Sequence, residues 1–143
     1  MNGDNVATHL YILKGNKLDS HKLQQHCLAH YLNVPTSTIK INRDQKPNCT
    51  SHAVEFSVSH TKNIFTIIIG TKPMGIDIEV LNRKIPLKVL NRNRQLPINR
   101  YNKNHWEEKH ITEDQARVII WTCFEATVKL TGRGLHFPIP EQF

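Results

Sequence analysis

The sequence predicts an α+β fold, an antiparallel β-meander packed against a long helix in the C-terminal half. Three observations carry this. Val54 to Ser59 alternates apolar and polar residues, the period of a half-buried strand. Ile64 to Ile69 is an almost continuous apolar run closed by Gly70, the pattern of a central strand. Thr112 with Gln115 matches a capping box, and helix-forming sequence continues to about Thr131, where Gly132 can end it.

Taken in order, Thr8 to Leu13 is a short apolar run with β-formers and ends at Lys14-Gly15-Asn16, a strand and a turn. Asp19 or Ser20 then caps a helix whose Leu23, Cys27, Leu28, Tyr31 and Leu32 recur at helical spacing, before Asn33 and Pro35 stop it. Its other face, with His21, Lys22, Gln24, Gln25 and His26, reads as solvated. Ser37 to Ile41 is a candidate short strand. Asn42 to Asn48 is polar, and Pro47 biases Lys46 towards an extended conformation, so the stretch reads as a loop.

The meander is expected to run from Val54 to Val80. Val54 to Ser59 is its first strand, His60 to Asn63 its turn, Ile64 to Ile69 its centre and Met74 to Val80 its third strand. From Asn82 to Lys103 the composition turns basic, with Pro86 and Pro97 bracketing at most one short helix, and a mobile connection is expected. On the Thr112 to Thr131 helix, Trp121, Glu125 and Lys129 lie four residues apart and share a face. Ala116, Ile119, Ile120, Cys123, Ala126, Val128 and Leu130 spread around the rest, which predicts a well-buried helix. Its glutamate and lysine therefore need partners, and the ordinary solution at this spacing is that they pair with each other.

At 143 residues, with 38% hydrophobic and 22% charged residues, the chain fits one soluble globular domain over 1–143. A formal charge of +7 and nine histidines favour anionic partners: nucleic acid, phosphorylated cofactors or an acidic protein. Cys27, Cys49 and Cys123 are odd in number and far apart, which argues against a disulfide framework and against structural zinc. No signal pattern opens the chain and no apolar run approaches a membrane span, so a cytoplasmic protein without a membrane partner is expected.

Within Met74 to Val80, Asp77 and Glu79 stand two residues apart and point to one face of a strand, while Ile76, Ile78 and Val80 point to the other. Two such carboxylates repel each other unless a cation lies between them, and Mg2+ suits an all-oxygen site. An edge strand with a solvated acidic face is the competing reading.

Together and in order, several segments resemble the 4′-phosphopantetheinyl transferases of the surfactin-synthetase-activating type. Lys46-Pro47 is similar to that family's Gly-Lys-Pro motif, and Phe56-Ser57-Val58-Ser59-His60 to its Phe-x-x-Ser-His motif. Gly75-Ile76-Asp77-Ile78-Glu79 matches its Gly-(Ile/Val)-Asp-(Ile/Val)-Glu motif. Trp121, Glu125, Ala126, Lys129, Gly132, Gly134 and Leu135 match its Trp-x-x-Lys-Glu-Ala-x-x-Lys-x-x-Gly-x-Gly-Leu motif. The resemblance covers roughly Lys46 to Leu135, and the Asp motif follows the Ser-His motif, unlike the short trimeric synthases. Phe124 stands where the family has lysine, and Gln45 replaces the motif glycine. On this resemblance 1–53 is a shortened N-terminal part and 54–143 the motif-bearing part of one domain.

The resemblance implies a Mg2+-dependent transferase, a holo-carrier-protein synthase. A serine of an acyl or peptidyl carrier protein would attack the β-phosphate of coenzyme A and release 3′,5′-adenosine bisphosphate. It implies Asp77, Glu79 and Glu125 as metal ligands, Glu125 and Lys129 as catalytic residues, and Lys46, Ser59, His60 and Lys129 as contacts to coenzyme A. Trp121 is expected to pack and so fix the helix. The residue types suit this chemistry: three hard oxygens for the cation, a helix carboxylate for a proton, and a lysine one turn on for a phosphate. Two alternatives stand beside it. One is a family member that binds carrier protein or coenzyme A without transfer. The other is a small basic nucleic-acid-binding protein, supported only by Asn82 to Lys103 and lacking an aromatic platform or recognition helix.

Overall fold

The computed structural model describes residues 7–86 and 109–132. Most of the basic stretch from Asn82 to Lys103, together with Gly134 and Leu135, lies outside the described residues.

The fold is α+β. A three-stranded antiparallel sheet has the order β1 (His9–Lys14), β5 (Ile64–Gly70), β4 (Glu55–His60), and a second, two-stranded pair joins β2 (Ile41–Asn42) to β3 (Asn48–Cys49). Helix α1 (Ser20–Leu32) starts at Asp19, whose side chain accepts from the amides of His21 and Lys22 at 3.1 Å each. It ends at Asn33, which adopts the left-handed conformation that asparagine tolerates. Helix α2 (Glu113–Thr131) has the full capping box between Thr112 and Gln115 and stops at Gly132, whose φ of 67° favours glycine.

Strand alternation divides the main sheet into two faces. Phe65, Ile67 and Ile69 of β5 and Phe56 of β4 join Cys27, Leu28 and Ala29 of α1 in the larger core. On the opposite face Ser57 and Ser59 of β4 sit across from Ile68 and Thr66 of β5. Both serines are buried, so they need partners there.

Those partners correct the expected meander. Met74 to Val80 forms no strand, and the third strand is β1, paired with β5 through six residues from His9 opposite Ile69 to Lys14 opposite Ile64. With β4 on one edge of β5 and β1 on the other, β5 has no edge left for a third partner. Met74 to Val80 instead crosses the serine-bearing face: the Ile76 amide donates to the Ser57 hydroxyl and the Ile78 amide to the Ser59 hydroxyl, each at 3.2 Å.

Helix α2 packs against this segment, with Gly75 at the closest approach. Its Val118, Ile120, Trp121 and Phe124 form a second apolar cluster with Ile85. The helix is less buried than expected, with Cys123 exposed and Ile119 half-buried. Two smaller expectations also change. Ser37 to Ile41 is not a strand: Thr36–Thr38 form a 3-10 turn after Pro35, stabilised by Thr38 donating back to the Pro35 carbonyl at 2.7 Å, and the short strand begins only at Ile41. Gln24 is buried, not solvated, because its amide bonds Ser20 at 3.2 Å and accepts from Arg43 at 3.2 Å.

Candidate functional site

The site grows from the contact between Met74–Val80 and α2. Gly75 makes that contact possible: a Cβ there would stand 1.9 Å from the Ala126 carbonyl oxygen and 2.6 Å from the Leu130 nitrogen. Only glycine lets the two backbones approach this closely. Two residues on, Asp77 faces the last turns of α2. Its side chain is only 2% exposed and receives the Lys129 ammonium at 2.6 Å. Ser59, with its oxygen under the Ile78 amide, donates its own proton to the same Asp77 oxygen at 2.8 Å.

Lys129 is thus satisfied across 52 residues of sequence by Asp77. The expected ordinary pair between Glu125 and Lys129 is not what the structure forms. A helix lysine facing a buried carboxylate on the adjoining segment gains more than one reaching along its own solvated helix surface.

Glu125 turns instead towards the other carboxylates. One oxygen each of Asp77, Glu79 and Glu125 all lie within 4.8 Å of one another. The consequence is visible on Glu125, whose carboxyl is pushed above its usual range by burial first and then by the charge and hydrogen bonding of Asp77. Lys129 and Arg83 pull in the opposite direction. Arg83 also ion-pairs with Glu79, after a turn in which its amide donates to the Val80 carbonyl at 2.9 Å.

These three acids fit a hard divalent cation. The second Asp77 oxygen is buried without a hydrogen-bond partner, in a group that costs several kcal/mol to desolvate alone, roughly. Oxygen-only donors from two elements, close enough to share one ion, are the donor set of Mg2+.

Lys46 closes the other side. Its ammonium donates to the Met74 carbonyl at 3.4 Å, and its stem passes 3.7 Å from the position of a Gly132 Cβ. Burial holds the Lys46 ammonium below its ordinary pKa, with Glu55 opposing. A cleft of about 260 Å³ lies between β4 and the end of α2, with Pro47, Phe56, Val58 and Val128 as apolar lining and Lys46 and Lys129 as its charges.

Of the residues expected from sequence, Ser59, Asp77, Glu79, Glu125 and Lys129 come together, and Lys46 and Lys129 line one cleft. His60 is exposed at the end of β4, where alternation puts it on the face of Phe56 and Val58, opposite Ser59. Trp121 is buried and packs on Phe124 with ring centroids 5.6 Å apart. Phe124 itself is 2% exposed, so the aromatic ring that replaces the motif lysine fills the α2 cluster. Sequence reading missed Ser57 and Arg83. Two serines at i and i+2 of one strand were the available signal for the first; the second was hidden within a run of basic residues.

The α+β chain has distant sequence homology to a 4′-phosphopantetheinyl transferase. One relative is the 4′-phosphopantetheinyl transferase gsp of Aneurinibacillus migulanus, 26% identical over 116 residues, which cover 78% of this chain and 46% of the relative. The chain thus spans about half the length of that relative. No protein-family model matches the chain. Among the described residues no helix is long and apolar enough to cross a membrane.

Proposed function

We propose that this chain transfers 4′-phosphopantetheine from coenzyme A to a serine of an acyl or peptidyl carrier protein. The observation that carries the reading is the convergence of Asp77, Glu79 and Glu125 around a buried, unpartnered Asp77 oxygen, beside a cleft charged by Lys46 and Lys129. The distant homology supports the same class of reaction.

Asp77, Glu79 and Glu125 would hold Mg2+, which when bound would offset the negative charge of a pyrophosphate. Glu125 is the proton acceptor, directly or through a water, because as a helix residue it reaches the cluster from the side open to the incoming carrier protein. As the serine oxygen bonds to the β-phosphorus, its proton passes to Glu125, the bond to the bridging oxygen breaks, and 3′,5′-adenosine bisphosphate leaves. Lys129 donates one N–H to Asp77, and its side chain is 33% exposed, so its other N–H groups can meet the departing phosphate. Lys46, with Ser59 and His60 of the strand motif, completes the proposed contacts to coenzyme A. The +7 charge speeds encounter with an acidic carrier protein.

Intact-mass measurement of apo carrier proteins incubated with the chain, coenzyme A and Mg2+ tests this. Addition of phosphopantetheine is expected, with loss of roughly 10²-fold or more in rate for Glu125→Gln. A panel of acyl and peptidyl carriers left unmodified by the wild-type chain, while a transferase control modifies them, would leave binding without transfer as the function.

A further inference from the structure

Arg83 is not accounted for by the reaction above. It reaches Glu79 after the turn at Val80, and the pair is uneven: the Glu79 side chain is 13% exposed and the Arg83 side chain 42%. Three neighbouring carboxylates carry more negative charge than Lys129 alone offsets, and Lys129 is committed to Asp77. The guanidinium adds a second positive charge beside Glu79. Its position on the exposed side of Glu79 lets it leave without disturbing the core.

We propose that Arg83 is a built-in counter-ion, held on Glu79 in the cation-free chain and displaced when a divalent cation takes that carboxylate, so that it sets the cation concentration at which the site fills. This rests on the three acids being a cation site. Lys129 cannot play the part, because the Asp77 it holds is buried and also tied to Ser59. Arg83 can, because a half-exposed guanidinium regains water when released. Cation and guanidinium compete for one carboxylate, so occupancy by one weakens the other by the same factor.

The experiment is Mn2+ binding to the whole chain, followed by the loss of the free-ion electron paramagnetic signal, for wild type, Arg83→Gln, Arg83→Lys and Asp77→Asn. Arg83→Gln is expected to bind on the order of tenfold more tightly, about 1.4 kcal/mol. Arg83→Lys, which keeps the charge, should fall between it and wild type, and Asp77→Asn should lose the site. Binding that depends on Asp77 but is equal or weaker in Arg83→Gln would overturn the counter-ion role and leave the cation site standing. Binding that ignores Asp77, or none in wild type and Arg83→Gln alike, would overturn both. If Arg83→Gln does not fold, the Arg83 Nε–H resonance of the wild-type chain decides: it should shift as Mg2+ saturates the site, and an unmoved resonance sinks the proposal.

Discussion

Replacing Gly75 with alanine adds one methyl group at the point where the site is assembled. The new Cβ would stand 1.9 Å from the Ala126 oxygen, 2.6 Å from the Leu130 nitrogen and 2.9 Å from the Ala126 carbon, all backbone atoms of α2. No side-chain rotation relieves such contacts, so segment and helix must separate by about 1 Å at least. Retreat towards the sheet is blocked by Ser57 and Ser59, which already hold the amides of Ile76 and Ile78. Separation of that size stretches the 2.6 Å contact between Lys129 and Asp77 past hydrogen-bonding distance. Overpacking of this kind costs roughly 1–3 kcal/mol, and Gly75→Ala should show that loss in urea denaturation together with weaker divalent-cation binding. A variant within about 0.5 kcal/mol of wild type and with unchanged cation affinity would refute the close approach of these backbones as the basis of the site.

The pairing of Asp77 with Lys129 should appear in a double-mutant cycle of Asp77→Asn and Lys129→Met as a coupling of about 0.5–3 kcal/mol, and additive unfolding free energies would mean that the two do not interact. Ser59→Ala leaves the Ile78 amide without its acceptor and removes a donor from Asp77, so a loss of roughly 1–3 kcal/mol in denaturant is expected, larger than for Ser57→Ala, which strands only the Ile76 amide. Asp19 is held below its ordinary pKa chiefly by the Lys22 amide, so its capping contribution is present above the unfolded value and is lost as pH falls through the folded one. Thermal unfolding of Asp19→Asn should accordingly be less pH-dependent than wild type in the acid range, and parallel pH profiles would exclude that origin.

What the sequence made legible follows from where its signals lie. Thr112, Gln115 and Gly132 act on their own helix, and its bounds were readable to within a residue or so. The same holds for β4 and β5, whose hairpin is local. Met74 to Val80 was harder, because alternation at Ile76, Ile78 and Val80 is identical for a strand in a ladder and for a segment laid across one. Only the acceptors of its amides distinguish the two, and these are serine hydroxyls 19 residues away. The carboxylates of the site were legible from their spacing and motif, whereas the partner of Lys129 was not: an i,i+4 glutamate is visible in sequence, and an aspartate 52 residues distant is visible only once Gly75 is seen against the helix. Arg83 sits in a basic run where nothing sets it apart from its neighbours.

Asp77, Glu79 and Glu125, brought from two elements, are proposed to hold one divalent cation. Crystals grown with Mn2+ test it directly through anomalous diffraction. One strong peak is expected within about 2.5 Å of an oxygen from each of the three carboxylates, with the Arg83 guanidinium withdrawn from Glu79. Well-ordered carboxylates with no peak among them at millimolar Mn2+, and Arg83 still on Glu79, would contradict it.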